Sequence, residues 1–228
     1  GQGTLLPLSY YHPDLPWAIN IPGGFDPQAA QDLLDAAGVV DSDSDGIREF
    51  NGEPTDYEIL CDVNNAVEVR STELIAGMLE EVGLQAKQRC MDIDTAVTYI
   101  WPSFVAVPDP DYDLGIWGWS SGTQFQRGFL RFLTNCDLEA IGWANLTGTC
   151  DPVLDELEAE YVSSPDPARQ EELSQQIQER FAEILPFIPL MSPDGNFAYR
   201  PNDYDGWVYV KGTGIMTAWS YLPDGAAK

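Results

Sequence analysis

Histidine occurs once, at His12, and basic residues are scarce: 11 Lys and Arg stand against 37 Asp and Glu, a formal charge of −26. Too few cations remain to displace counterions from phosphates, so nucleic acid is excluded as a partner. An anionic membrane surface is disfavoured for the same reason. The acidity reads as a well-solvated surface that keeps the chain soluble. One histidine and no closely paired cysteines argue against structural zinc. No apolar run reaches the ~18 residues of a membrane span, and no signal peptide is present within the sequence. It begins Gly-Gln-Gly without Met, which is expected of a processed or excised chain and leaves the compartment open. Nucleophile elbows and Gly-rich phosphate loops are missing, and no carboxylate pair stands in a glycosidase-like motif, so no catalytic residue is expected.

What is present is globular. Apolar residues make up 44% and aromatics 11% of 228 residues, enough for one domain or two small ones. Four scattered cysteines suit two disulfides in an oxidising compartment. Of the three pairings, Cys61–Cys90 and Cys136–Cys150 each close a loop of moderate length and would each contribute about 2–4 kcal/mol. The alternative is four buried free thiols.

Residues 5–24 hold four prolines and no period, and read as an extended crossing segment. Asp26 as N-cap and Pro27 at the first position then open a helix whose Ala30, Leu33, Leu34 and Ala37 share a face before Gly38. Residues 56–62 and 84–90 are predicted strands flanking a helix over 68–82, a unit that implies adjacent parallel strands. A helix is expected over 94–104, a third strand over 112–119 and a short helix near 128–133. Acidic amphipathic helices follow over 151–162 and 166–185. A short proline-bounded strand over 186–191 fits an edge. From Pro201 the chain is aromatic and Gly-rich. The order of elements says α/β.

Asp41, Asp43 and Asp45 have the one-three-five carboxylate spacing of calcium loops, with Gly46 central, an Ile47 carbonyl and the Glu49 carboxylate as further ligands. The twelfth position is Gly52 rather than Glu, so this is no EF-hand. Two readings stand: a structural calcium loop, or Asx turns whose carboxylates bond local N–H groups.

The ordered motifs resemble those of the peptide/nickel-type solute-binding proteins, extracellular solute-binding family 5. Phe25-Asp26-Pro27-Gln28-Ala29-Ala30 through Leu33-Leu34-Asp35-Ala36-Ala37-Gly38 is similar to that family's Y-D-P helix. Asp43-Ser44-Asp45-Gly46-Ile47-Arg48-Glu49 with Asn51-Gly52 resembles the loop that follows it. Residues 71–84, 113–119, 149–157 and 169–190 continue in family order, so that the resemblance spans about residues 3–222. It implies a type II periplasmic-binding-protein-like α/β lobe, a mixed sheet flanked by helices. Residues 1–25 would be an inter-lobe crossing, 26–200 the ligand-binding lobe and 201–228 a return toward an N-terminal lobe absent from this chain. The function implied is extracytoplasmic, periplasmic or on a cell-surface lipoprotein: binding an oligopeptide or oligosaccharide and delivering it to the transmembrane permease of an ABC importer, with no bond broken and no cofactor required.

The candidate ligand-facing residues are Trp119, Ser120, Ser121, Gly122, Thr123, Gln124 and Phe125, just past the carboxyl end of a predicted parallel strand. Of Trp117 and Trp119, only one is expected to face a ligand, and Trp119 is favoured over a purely core role. Peptide-binding members resembling this chain carry an Asp shortly after Gly-Trp; here Ser121 and Gly122 stand nearby, uncharged. A buried ligand ammonium would lack its partner, which shifts weight toward an oligosaccharide or a longer or uncharged solute. The rival readings are an acid-base glycoside hydrolase and a calcium-stabilised interaction module.

Overall fold

The computed structural model describes residues 3–102, 112–119, 125–210 and 212–222. The chain divides into two compact units. One, the sheet unit, takes Gly24–Gly118 and Cys136–Cys150; the other, the helical unit, takes Gly1–Gly23, Trp119–Asn135 and Asp151–Lys228.

In the sheet unit, helix α1 runs Pro27–Ala36, and the Asp26 carboxylate accepts from Ala29 N. Two short strands, β2 (Glu49–Phe50) and β3 (Glu53–Pro54), pair antiparallel. Strand β4 (Tyr57–Asp62), helix α2 (Ala66–Glu80) and strand β5 (Ala86–Met91) form the expected crossover, with β4 and β5 parallel and Cys61 directly opposite Cys90. Asn65 caps α2 by accepting from Val67 N and Glu68 N, while Glu68 reaches back to Asp62 N, so the first turn leaves few donors bare. Helix α3 (Ile93–Ile100) follows, capped by Asp92. Strand β6 (Leu114–Gly115) completes the order β5-β4-β6. Central β4 buries Ile59, Leu60 and Cys61 in succession, the run expected of a parallel strand covered on both faces. Ile59, Ala76 and Ala86 form a core with Tyr57, Ile75, Leu79 and Ile116 packed on it.

Two expectations change here. The third strand was predicted over 112–119, but only Leu114–Gly115 pairs, because the Asp113 carboxylate takes Glu58 N at 2.9 Å where a ladder bond would otherwise form. Helix α1 forms through its cap and Pro27, yet it buries no residue among those described, and Leu33 on its apolar face is 72% exposed.

In the helical unit, α4 (Leu130–Thr134) is short, whereas α5 (Pro152–Ser163) and α6 (Pro167–Ile184) are long and start alike. Each long helix has an Asp cap followed by Pro: Asp151 accepts from Leu154 N, and Asp166 from Ala168 N. Leu154, Leu173, Ile177 and Phe181 are buried between them with Tyr10 and Tyr11. The opening segment is irregular, as its prolines require, but it is firmly held. Tyr11 donates to the Arg127 carbonyl at 2.6 Å, and fully buried Gln178 bonds both Ile19 N and the Trp17 carbonyl at 3.0 Å. Strand β1 (Gly3–Leu5) pairs antiparallel with β7 (Met191–Pro193). The strand expected over 186–191 thus begins where that stretch ends, since Pro186 and Pro189 carry no N–H for a ladder. A 3₁₀ turn, Ala218–Tyr221, lies among ring contacts of Tyr204, Trp207 and Tyr221.

Candidate functional site

Strand β6 pairs with β4 through Ile59–Leu114 and Leu60–Gly115, and Ile116 N extends the ladder to the Leu60 carbonyl. The chain then leaves the sheet at its carboxyl end, where open α/β sheets place ligands. Trp117 meets Trp101 edge-on at 6.4 Å between ring centroids, in the sheet unit. Trp119 instead meets Phe129 edge-on at 5.5 Å, in the helical unit. The two indoles therefore go to different surroundings, and both are half-buried. Ser120, Ser121, Gly122, Thr123 and Gln124 lie outside the described residues. Phe125 is half-buried and stacks on His12 at 5.9 Å. Gly212, at φ +81°, leaves room for that ring; a Cβ there would meet it at 3.0 Å.

Sequence reasoning did not single out Trp101 and Trp143, whose rings stack at 5.7 Å in the sheet unit. Trp143 sits in the loop closed by Cys136–Cys150, and Tyr112 donates its hydroxyl to the Leu146 carbonyl of the same loop. Both expected disulfides are formed, and no free cysteine remains.

The acidic loop draws its carboxylates together: ligand atoms of Asp41, Asp43, Asp45 and Glu49 lie within 4.8 Å of one another. Each also accepts from local backbone. Asp41 takes Ser44 N and Gly46 N, Asp43 takes Asp45 N, Asp45 takes Ile47 N, and Glu49 takes Ser42 N. Positive φ at Ser44 and Gly46 lets the loop wrap so tightly. Arg48 fixes its far end, bonding the Asp35 carboxylate and the carbonyls of Val39 and Val82. Gly83 is required beside it, because a Cβ would meet Arg48 Cγ at 3.0 Å.

Among the described residues, ionisable groups elsewhere do not assemble a reacting pair. Arg180 grips Asp151 at 2.6 Å and holds that carboxyl below its usual range. Burial pushes Glu158 up to about 7, but its side chain is enclosed beneath α4 rather than presented to a ligand. A two-carboxylate hydrolase needs both acids at the scissile bond.

Taken together, a parallel crossover sheet with helices between its strands defines an α/β lobe. Residues 2–141 match the bacterial extracellular solute-binding proteins, family 5 (middle region), and the chain belongs to that family. It is a family of binding proteins, which sets aside the glycoside-hydrolase reading. The oligopeptide-binding protein AppA of Bacillus subtilis is 23% identical over 210 residues, 92% of this chain and 37% of that protein. AppA's structure with a nonapeptide has a TM-score of 0.71 at 20% identity, covering 85% of this chain and 37% of AppA. A mannohexaose-bound periplasmic oligopeptide-binding protein of Thermotoga maritima has a TM-score of 0.60 at 24% identity, covering 83% and 36%. NikA of Brucella suis with Fe(III)-EDTA has a TM-score of 0.61 at 24% identity, covering 80% and 36%. The fold is that of the type II periplasmic binding proteins. The chain spans 37% of the length of the curated relative it matches.

Proposed function

We propose that this chain is the second-lobe part of an extracytoplasmic receptor that captures an oligopeptide or oligosaccharide and hands it to the membrane permease of an ABC importer. Family membership over residues 2–141 is the observation that carries the reading. In it, residues 1–25 cross between lobes, residues 26–200 form the binding lobe and residues 201–228 return toward an N-terminal lobe. The protein works in the periplasm or as a lipoprotein at the cell surface; no helix among the described residues is long and apolar enough to cross a membrane. The ligand meets Trp119 and the segment through Phe125. Relatives bound to a nonapeptide and to mannohexaose support both solute classes. The uncharged Ser121 and Gly122 favour a solute that brings no buried ammonium there.

The test is thermal shift of the full-length protein against a panel of peptides and oligosaccharides, with turnover recorded. A stabilising ligand that is not cleaved supports the reading and selects the solute class; hydrolysis overturns it. Trp119→Ala is expected to weaken the stabilising ligand about 5- to 150-fold with the melting temperature of the free protein little changed, since indole stacking contributes about 1–3 kcal/mol. Unchanged affinity removes Trp119 from the site.

Calcium, where it binds, has a structural place in the loop of Asp41, Asp43, Asp45, Ile47 and Glu49, supported by the convergence of the four carboxylates. Added calcium is expected to raise the melting temperature, with the gain lost in Asp43→Asn. No gain with calcium leaves these carboxylates as Asx-turn acceptors alone.

A further inference from the structure

Glu158 stands out because nothing in the binding role uses it. It lies on α5, is 2% exposed, and makes no ion pair within the described residues. One carboxyl oxygen, Oε2, is buried and has no hydrogen-bond partner. The other, Oε1, lies 3.1 Å from the Thr134 hydroxyl at the end of α4. That hydroxyl is also 3.0 Å from the Leu130 carbonyl, one turn back along α4. Thr134 has one proton and two neighbouring oxygens to give it to. A carbonyl only accepts, so both contacts are satisfied at once when Thr134 donates to Leu130 and the carboxyl of Glu158 donates to Thr134. A carboxylate would instead compete for the single proton and leave a buried charge with one oxygen bare, a costly state.

We propose that Glu158 is held as the neutral acid and that its proton, donated to Thr134, latches α5 to α4, so that raising the pH releases α4. The neighbours act in both senses: Asp155 favours the neutral acid, the charge of Arg131 and hydrogen bonds received from Thr134 and Asn135 favour the carboxylate, and burial outweighs them. On α4, Arg131 acts on the carboxyl through space, and on α5 itself Asp155 opposes a second negative charge. Asn135, just past α4, also hydrogen-bonds the carboxyl. From the opening segment, Tyr11 senses the same charge, and Tyr161 and Arg127 line the small cavity that Glu158 borders. Helix α6 brings only apolar Ile177 to that cavity; its Arg169 and Arg180 are committed to Glu160, Glu172, Asp151 and Glu183. Burial is the largest influence on the carboxyl and lifts it from 4.5 to about 7, with the Thr134 hydrogen bond opposing. What the latch holds matters: Phe129, the residue at the start of α4, is the one whose ring meets Trp119.

The sign follows from proton counting. Folded Glu158 keeps its proton up to about pH 7, while an unfolded glutamate releases it above about 4.5. The latch therefore contributes fully below the lower value, is lost as pH rises through the upper one, and adds no slope beyond it. Thermal unfolding of the full-length protein is compared with that of Glu158→Gln, whose neutral amide donates to Thr134 at every pH. Between about pH 5.5 and 8 the folded-to-unfolded ratio of the wild type is expected to fall roughly thirtyfold relative to the variant. Parallel pH profiles overturn the proposal. Should the variant fail to fold, carbon-13 NMR of labelled glutamate carboxyls in the wild type decides. A resonance titrating near pH 7 supports the latch, and the absence of any above about pH 6 overturns it.

Discussion

The sheet unit and the helical unit solve the same problem with different chemistry. All four cysteines fall in the sheet unit, and one disulfide joins β4 to β5 at directly opposed positions in their ladder. Its centre is strand β4, which buries Ile59, Leu60 and Cys61 in succession. The helical unit has no cysteine and instead buries whole polar groups, Gln178 and Glu158 among them, beside Leu154, Leu173 and Phe181. Covalent closure acts mainly by limiting the unfolded chain, whereas a buried amide or acid contributes only while each partner stays in place. The first arrangement tolerates drift; the second specifies one packing.

That contrast can be broken from either side. Phe181→Ala removes a fully buried ring in edge contact with Tyr10 and is expected to destabilise the helical unit by about 3–5 kcal/mol. Amide hydrogen exchange should quicken along α5 and α6 while the β4–β5 ladder keeps its protection. Replacing Cys61 and Cys90 together by Ser is expected to cost about 2–4 kcal/mol and to speed exchange in β4 and β5. If either change loosens both units equally, the two unfold as one and the contrast in chemistry has no energetic counterpart.

Much of the sheet unit was legible because its signals are local. Asp26-Pro27 announces α1, and its cap is formed; in the helical unit Asp166-Pro167 does the same for α6. The β4–α2–β5 crossover followed from period and length, and both cysteine pairings followed from loop size. The β1–β7 ribbon was not legible, since three-residue strands carry no period and their partners stand at opposite ends of the chain. The shortness of β6 depended on one carboxylate, Asp113, capturing a backbone N–H.

The buried polar groups were harder still, because mid-helix Gln and Glu usually face water. A signal existed: Glu158 falls one turn after Leu154, and Gln178 falls beside the Leu173, Ile177 and Phe181 stripe. Residue spacing alone could have flagged both as inward-facing. At the candidate site, alternation along a strand would put Trp117 and Trp119, two residues apart, on one face; their rings part company because pairing ends before them, at Leu114–Gly115. The Trp101–Trp143 stack escaped notice because it joins a helix end to a disulfide loop across a long stretch of chain.

The division of the chain also has an order in time. The helical unit opens with Gly1–Gly23 and closes with Asp151–Lys228, so the sheet unit is nested inside it like a clause within brackets. Every strand and disulfide partner of the sheet unit has been made once the ribosome passes Cys150. Strand β1, made before the sheet unit, has no partner until Met191–Pro193 emerge. The opening segment must therefore wait, unpaired, through the synthesis of everything it encloses.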